Sequence, residues 1–292
     1  MAVSREPGTD AIYALHDRWL REVLGPGDSL FTPGTPVWTR EHLDELELAF
    51  VAHPDLTPGR RYEEKLRDQL AGVSPQAKQL MAELHAVHFL MIWIGAISQA
   101  TKLGIINTIL AWMPAPPDVP TEVAEAMSPG LVHPGMWVMT RRDTQITWLI
   151  RFSAAWKQLA GHEQQALAAD PWKLKEFTGQ VDAPSASSAQ MALLHLAHPE
   201  TFDPTVSADH KRWITNRFLR VIPSAGPGKL DEVLFCGDTF SGLTPGPVLL
   251  AGGSTEIPPP VPINGLCFSG GTPRANSVDR DSRTAVIRIW PG

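Results

Sequence analysis

The chain has 292 residues, 43% of them hydrophobic and 19% charged, with ten Trp against two Tyr and a formal net charge of −6. These values exclude a disordered or low-complexity chain and predict a globular body with a sizeable core. The acidic balance weighs against a whole-protein electrostatic grip on nucleic acid, though not against a local basic patch.

From residue 11 to residue 24, Ile12, Leu15, Trp19 and Val23 recur at spacings of three and four, one face of a helix with Asp10 as its expected N-cap. Gly25-Pro26-Gly27 ends it. The stretch "SLFTPGTPVW" carries two Pro and a Gly and is expected to be a loop that pins Phe31 and Trp38 onto the body. Thr39 caps a second helix bearing Leu43, Leu46 and Phe50. Over 60–71, Tyr62, Leu66 and Leu70 form one stripe, and Glu63 and Arg67 stand at the spacing of a helical ion pair.

Ser74-Pro75 is a cap followed by proline at the first helical position, and it opens a long helix over 75–94. Further helices are predicted at 101–112, 121–127, 143–160, 163–169, 171–179, 187–197 and 208–222, with a short strand pair possible in 131–139. The fold class is therefore mainly α: a multi-helix globular domain with an irregular, Pro/Gly-rich C-terminal tail. Residues 1–58 are expected to be N-terminal helices and a loop packing on the body, 59–222 the helical domain, and 223–292 a disordered or weakly β tail. The break at Pro223 rests on composition, since Pro and Gly make up 21 of the last 70 residues but 29 of the preceding 222.

Cys236 and Cys267 are the only cysteines, which leaves neither a disulfide framework nor a cysteine-based zinc site and fits a reducing, cytoplasmic setting. "MAVSREPGTD" lacks the parts of a signal peptide, and the longest apolar run, Val87–Ile97, is about half the ~20 residues needed to cross a bilayer. No membrane contact and no cofactor are expected.

Motifs that carry chemistry are few. "SAGPGKLDE" holds Gly226, Gly228 and Lys229, but Leu230 stands where a phosphate loop needs a hydroxyl, and the earlier glycine is missing. Asp55 followed by Glu63, Glu64 and Lys65 matches the letters of a nuclease metal set, yet helical spacing spreads Glu63 and Lys65 apart. His85/His88 and His195/His198 are i,i+3 pairs with no telling third ligand, so no metal site and no catalytic or nucleotide-binding residue is assigned. The densest polar stretch is "LAHPETFDPTVSADHKRWITNRF", whose His195, His198, Asp203, Asp209 and His210 would form an enzyme site only if they converged on a pocket. In the helix after Ser207, Ile214, Phe218, Val221 and Ile222 share one face. His210, Lys211, Arg212, Trp213, Arg217 and Arg220 are the candidates for contact with DNA or with another domain.

"RYEEKLRDQLAG" (61–72), "MAELHAVHFL" (81–90), "NTILAWM" (107–113), "TRRDTQITWLIRFSAAWKQL" (140–159), "DPWKLKEF" (170–177) and "LLHLAHPETFDPTVSADHKRWITNRF" (193–218) together resemble the helical N-terminal region of McrB-like AAA+ NTPases of methylcytosine restriction. The resemblance implies a recognition or adaptor module of a restriction or anti-phage system, with DNA or a partner subunit as its ligand. It also implies a following motor with Walker and sensor motifs, none of which maps onto this chain; the departure begins close to Arg220. Two alternatives stand beside it: a truncated or frameshifted remnant without independent activity, and an enzyme built on the His/Asp cluster.

Overall fold

In a computed structural model, the structure describes residues 8–92, 95–131, 141–184, 186–207, 209–211 and 213. These residues are mainly helical and include no β-strand. The predicted tail 223–292 and nearly all of the segment 131–139 lie outside the described residues.

Helix α1 (Asp10–Arg18) starts one residue earlier than the cap prediction. Thr9 precedes it, and Asp10 is instead in the first turn, where a carboxylate is favoured by the helix dipole. The helix does not run on regularly to residue 24. It passes into a π turn, Trp19–Val23, in which the Leu24 N–H reaches the Trp19 carbonyl at 2.8 Å. Gly27, at φ 93°, reverses the chain, and Lys157 Nζ donates to the Gly25 carbonyl at 3.0 Å to hold the turn.

Two local predictions hold where the cap is a neighbouring side chain. Thr39 accepts the His42 N–H at 3.3 Å at the start of α2 (Arg40–Leu46), and Ser74 accepts the Ala77 N–H at 3.1 Å ahead of Pro75 at the start of α4 (Pro75–Phe89). Helix α2 also continues as a π turn, Glu47–Val51. In α3 (Tyr62–Gln69), Leu66 and the following Leu70 are buried as the stripe requires. The expected Glu63–Arg67 pair gives way to other partners: Glu63 faces the distant Arg142 at 3.7 Å, and Arg67 lies 3.7 Å from its neighbour Asp68.

Helix α4 ends at Phe89, five residues short of expectation. The chain leaves it because Met91 offers its carbonyl to the Leu131 N–H at 3.1 Å, while the Ile92 carbonyl accepts from Lys102 Nζ. Then follow α5 (Gln99–Leu110), capped by Ser98, α6 (Thr121–Ala126), α7 (Arg142–Trp156), α8 (Gly161–Ala169), α9 (Pro171–Gln180) and α10 (Ser187–Ala197).

Helix α4 is the axis of the fold. It packs on α2, α5 and α7, while α1 packs on α6 and α10, and α9 on α8 and α10. Buried apolar residues from Ile12 to Val206 form one core, to which residues 12–50 contribute. The tryptophan-rich composition is explained by a chain of rings. Trp148, Phe152 and Trp156, at i,i+4,i+8 on α7, meet Trp19 and Phe177, and Trp19 meets Trp38 edge-on at 5.5 Å. Each such ring removes roughly 150–250 Å² from water, and the fully buried Trp38 confirms the pinning role expected of the 29–38 loop.

Candidate functional site

The polar stretch from His195 to Trp213 closes the described fold at the C-terminal end of α10. His195 is buried on α10, and its Nδ1 lies 2.7 Å from the Phe202 carbonyl. Because a carbonyl can only accept, Nδ1 carries the proton, and Nε2 accepts from the Tyr13 hydroxyl at 2.9 Å. Both ring nitrogens are thus spent on joining α1 to α10 and on closing the next turn. Burial pushes the imidazole below its ordinary value, which keeps it neutral.

His198 follows the end of α10, and its carbonyl accepts the N–H groups of Thr201 and Phe202, both at 3.0 Å. This turn drives Phe202 into the core against Trp172 at 5.5 Å, with Lys175 lying over both rings. Asp203 accepts the Thr205 N–H at 2.7 Å and meets Lys211 Nζ at 3.2 Å. Ser207 caps the next turn as predicted, accepting the His210 N–H at 3.3 Å, and its carbonyl accepts the Lys211 N–H at 2.9 Å.

The candidate residues consequently divide. Lys211 is only 8% exposed, with its ammonium turned to Asp203, so it anchors the turn instead of joining an open contact face. Asp209 and His210 are exposed, and Trp213 is 61% exposed. Arg212, Arg217 and Arg220 lie outside the described residues, as do Ile214, Phe218, Val221 and Ile222, the glycines and lysine of 226–229, and both cysteines. His195 and His198 face the interior while Asp209 and His210 face solvent, so the five residues of a conceivable catalytic cluster do not converge on one pocket.

No known protein family, curated protein or solved structure matches this chain.

The other motifs are also accounted for by structure. Asp55 accepts the Thr57 N–H at 2.8 Å and pairs with Arg60 at 2.9 Å, Glu64 closes a capping box on Arg61, and Glu63 is directed to Arg142. Lys65 reaches the Asp55 carbonyl at 3.1 Å, but the three carboxylates turn to different partners, and among the described residues no group of three or more His, Cys, Asp or Glu could hold a metal. Nor is any described helix long and apolar enough to cross a membrane. His85 repeats the His195 arrangement, with Nδ1 on the Met81 carbonyl at 2.7 Å and Nε2 accepting from Tyr62 at 3.0 Å.

Two buried charges were not singled out from the sequence. Glu83, fully buried on α4, accepts from Ser29 Oγ (2.6 Å), the N–H groups of Leu30 (2.9 Å) and Phe31 (3.2 Å), Trp38 Nε1 (2.5 Å) and Gln79 Nε2 (3.0 Å). Burial pushes its carboxyl above the usual range, and the donors pull it back. Lys102, fully buried on α5, donates to the carbonyls of Ile92 and Met127, joining the exits of α4 and α6; burial lowers it to about 8. The available signal was a lone charge on a helix apolar on every side, as in "LMAELHAVHF".

Proposed function

We propose that this chain is a non-catalytic recognition or adaptor module, of the kind found at the N-terminus of McrB-like NTPases, that meets a partner protein through the surface at residues 209–213. The observation that carries the reading is the exposed Trp213 one short turn beyond an anchored base. Lys211 and Asp203 hold the turn from beneath, so the indole is presented on a fixed support, and Trp is among the residues that most often dominate protein interfaces. The engagement of both His195 ring nitrogens and of the Asp203 carboxylate in hydrogen bonds and an ion pair favours binding over chemistry at this stretch. The acidic net charge and the inward Lys211 favour a protein over a nucleic-acid partner.

The test is a titration of the full chain against a purified McrB-type motor subunit, with hydrogen exchange read over 207–213. Protection of that segment is expected, and Trp213→Ala should weaken binding at least tenfold, or about 1.4 kcal/mol. A parallel titration with methylated and unmethylated duplex DNA across a salt series separates the two partner classes. Duplex binding with a steep salt slope and no motor binding would replace the protein partner with DNA. Nucleotide turnover that tracks the chain and is abolished by one substitution would overturn the non-catalytic reading.

A further inference from the structure

A small cavity lies where α1 passes into its π turn and faces α4, α7 and α10. It measures about 30 Å³, with His16, Trp19 and His88 in its lining beside the apolar side chains of Leu149, Leu193 and Leu196. Three of these lining residues each carry a buried polar atom without a protein partner: His16 Nδ1, Trp19 Nε1 and His88 Nε2. His16 and Trp19 are at most 1% exposed. Unpaired buried groups are rare in folded proteins, and three around one cavity call for a ligand that can both donate and accept.

The chemistry narrows what that ligand is. Two imidazoles and an indole, whose nitrogen has no lone pair to give, are too few donors for a metal ion. An anion is disfavoured because the imidazoles are neutral: burial lowers His16 to about 3, and His88 also falls well below its ordinary value. An apolar occupant would leave all three nitrogens unpaired. A volume of about 30 Å³ has room for about two waters, at roughly 10–15 Å³ each. The π turn supplies an independent pointer, because such turns gather at functional or strained sites, and this one begins at Trp19.

We infer that this cavity is a water-binding site, holding a hydrogen-bonded pair of ordered waters that accept from the Trp19 indole N–H and donate to His16 Nδ1 and His88 Nε2. The protons of the two imidazoles then reside on His16 Nε2 and His88 Nδ1. The site couples α1 to α4 through hydrogen bonds that the side chains do not make directly.

A high-resolution crystal structure of the full chain tests the assignment, with a xenon-pressurised crystal beside it. Expected are one or two water peaks within hydrogen-bond distance of at least two of the three nitrogens, with no xenon in the cavity. In solution, the Trp19 indole N–H should show an NOE to long-lived water. An apolar cavity that takes up xenon, or one without water on at least two of the nitrogens, overturns the assignment. A Trp19→Phe variant that folds should lose the water nearest the indole while the wild-type result stands on its own.

Discussion

Glu83 illustrates how one side chain sets the position of a loop with little secondary structure. Its carboxylate accepts from five donors, three of them within the 29–38 loop's own backbone and indole, which are otherwise cut off from water. Ser29 Oγ cannot take over as acceptor, because it already accepts from the N–H groups of Phe31 and Thr32 and from Gln79. Glu83→Leu would leave the Leu30 and Trp38 donors buried and unpaired, each costing about 1–3 kcal/mol, while the Phe31 N–H keeps Ser29 Oγ as acceptor. We expect the variant to lose at least about 2 kcal/mol in urea unfolding, and Trp38→Phe to lose about 1–3 kcal/mol while the loop stays in place. A Glu83→Leu variant as stable as the parent would show that the donors find other partners.

At the scale of elements, helices are joined by side chains that no local pattern reveals. Tyr13 on α1 donates to His195 on α10, so Tyr13→Phe should cost about 1 kcal/mol and speed hydrogen exchange in α10 more than in α5. The segment between α2 and α3 is organised in the same way. Gln69 Nε2 donates to the carbonyls of Phe50 (3.3 Å) and His53 (2.8 Å), and Asp55 holds Thr57 and Arg60. Asp55→Ala is expected to accelerate exchange over 52–61 with no change in the urea midpoint of the whole domain, and a shifted midpoint would count against a purely local role. The elements readable in advance were those fixed by neighbours in sequence: the apolar period of α4 and α7, and the caps Thr39, Ser74 and Ser207. Helix α4 was overextended because its exit is set by Leu131 and Lys102, well beyond any local window. The π turns at Trp19 and Glu47 escaped because one extra residue in a turn hardly changes a 3.6-residue pattern. At the candidate contact surface, the capping Ser207 was legible, but the inward turn of Lys211 depends on Asp203 arriving from a separate turn.

At the scale of the whole molecule, five imidazoles among the described residues are held neutral by burial, and this gives the stability a pH signature. His16 and His85 are lowered to about 3 from 6.5, and His88, His195 and His198 are also lowered, with burial the largest cause in each case. In the unfolded chain these rings take up protons near pH 6.5, whereas the folded chain resists doing so. The unfolded state therefore binds more protons below that value, and stability falls as pH falls. The contribution is complete above about pH 6.5 and is lost progressively down to about pH 3, where His16 and His85 finally protonate in the folded state. Each ring that remains neutral adds a slope of about 1.4 kcal/mol per pH unit. The carboxylates of Asp55, Glu64, Asp68 and Asp170 are lowered from values of 3.8 or 4.5, so their loss falls mainly below pH 4.5. Above pH 4.5 the histidines therefore dominate the loss, opposed only by Glu83 among the shifted carboxyls, whose raised carboxyl takes up a proton in the folded state and offsets part of it. Urea unfolding should lose several kcal/mol from pH 6.5 to 5, and His85→Leu should flatten the slope by about one ring's share even if its stability at pH 7 is lower. A flat profile between pH 6.5 and 5 would mean that these imidazoles reach water, contrary to the core in which α1, α4 and α10 enclose them.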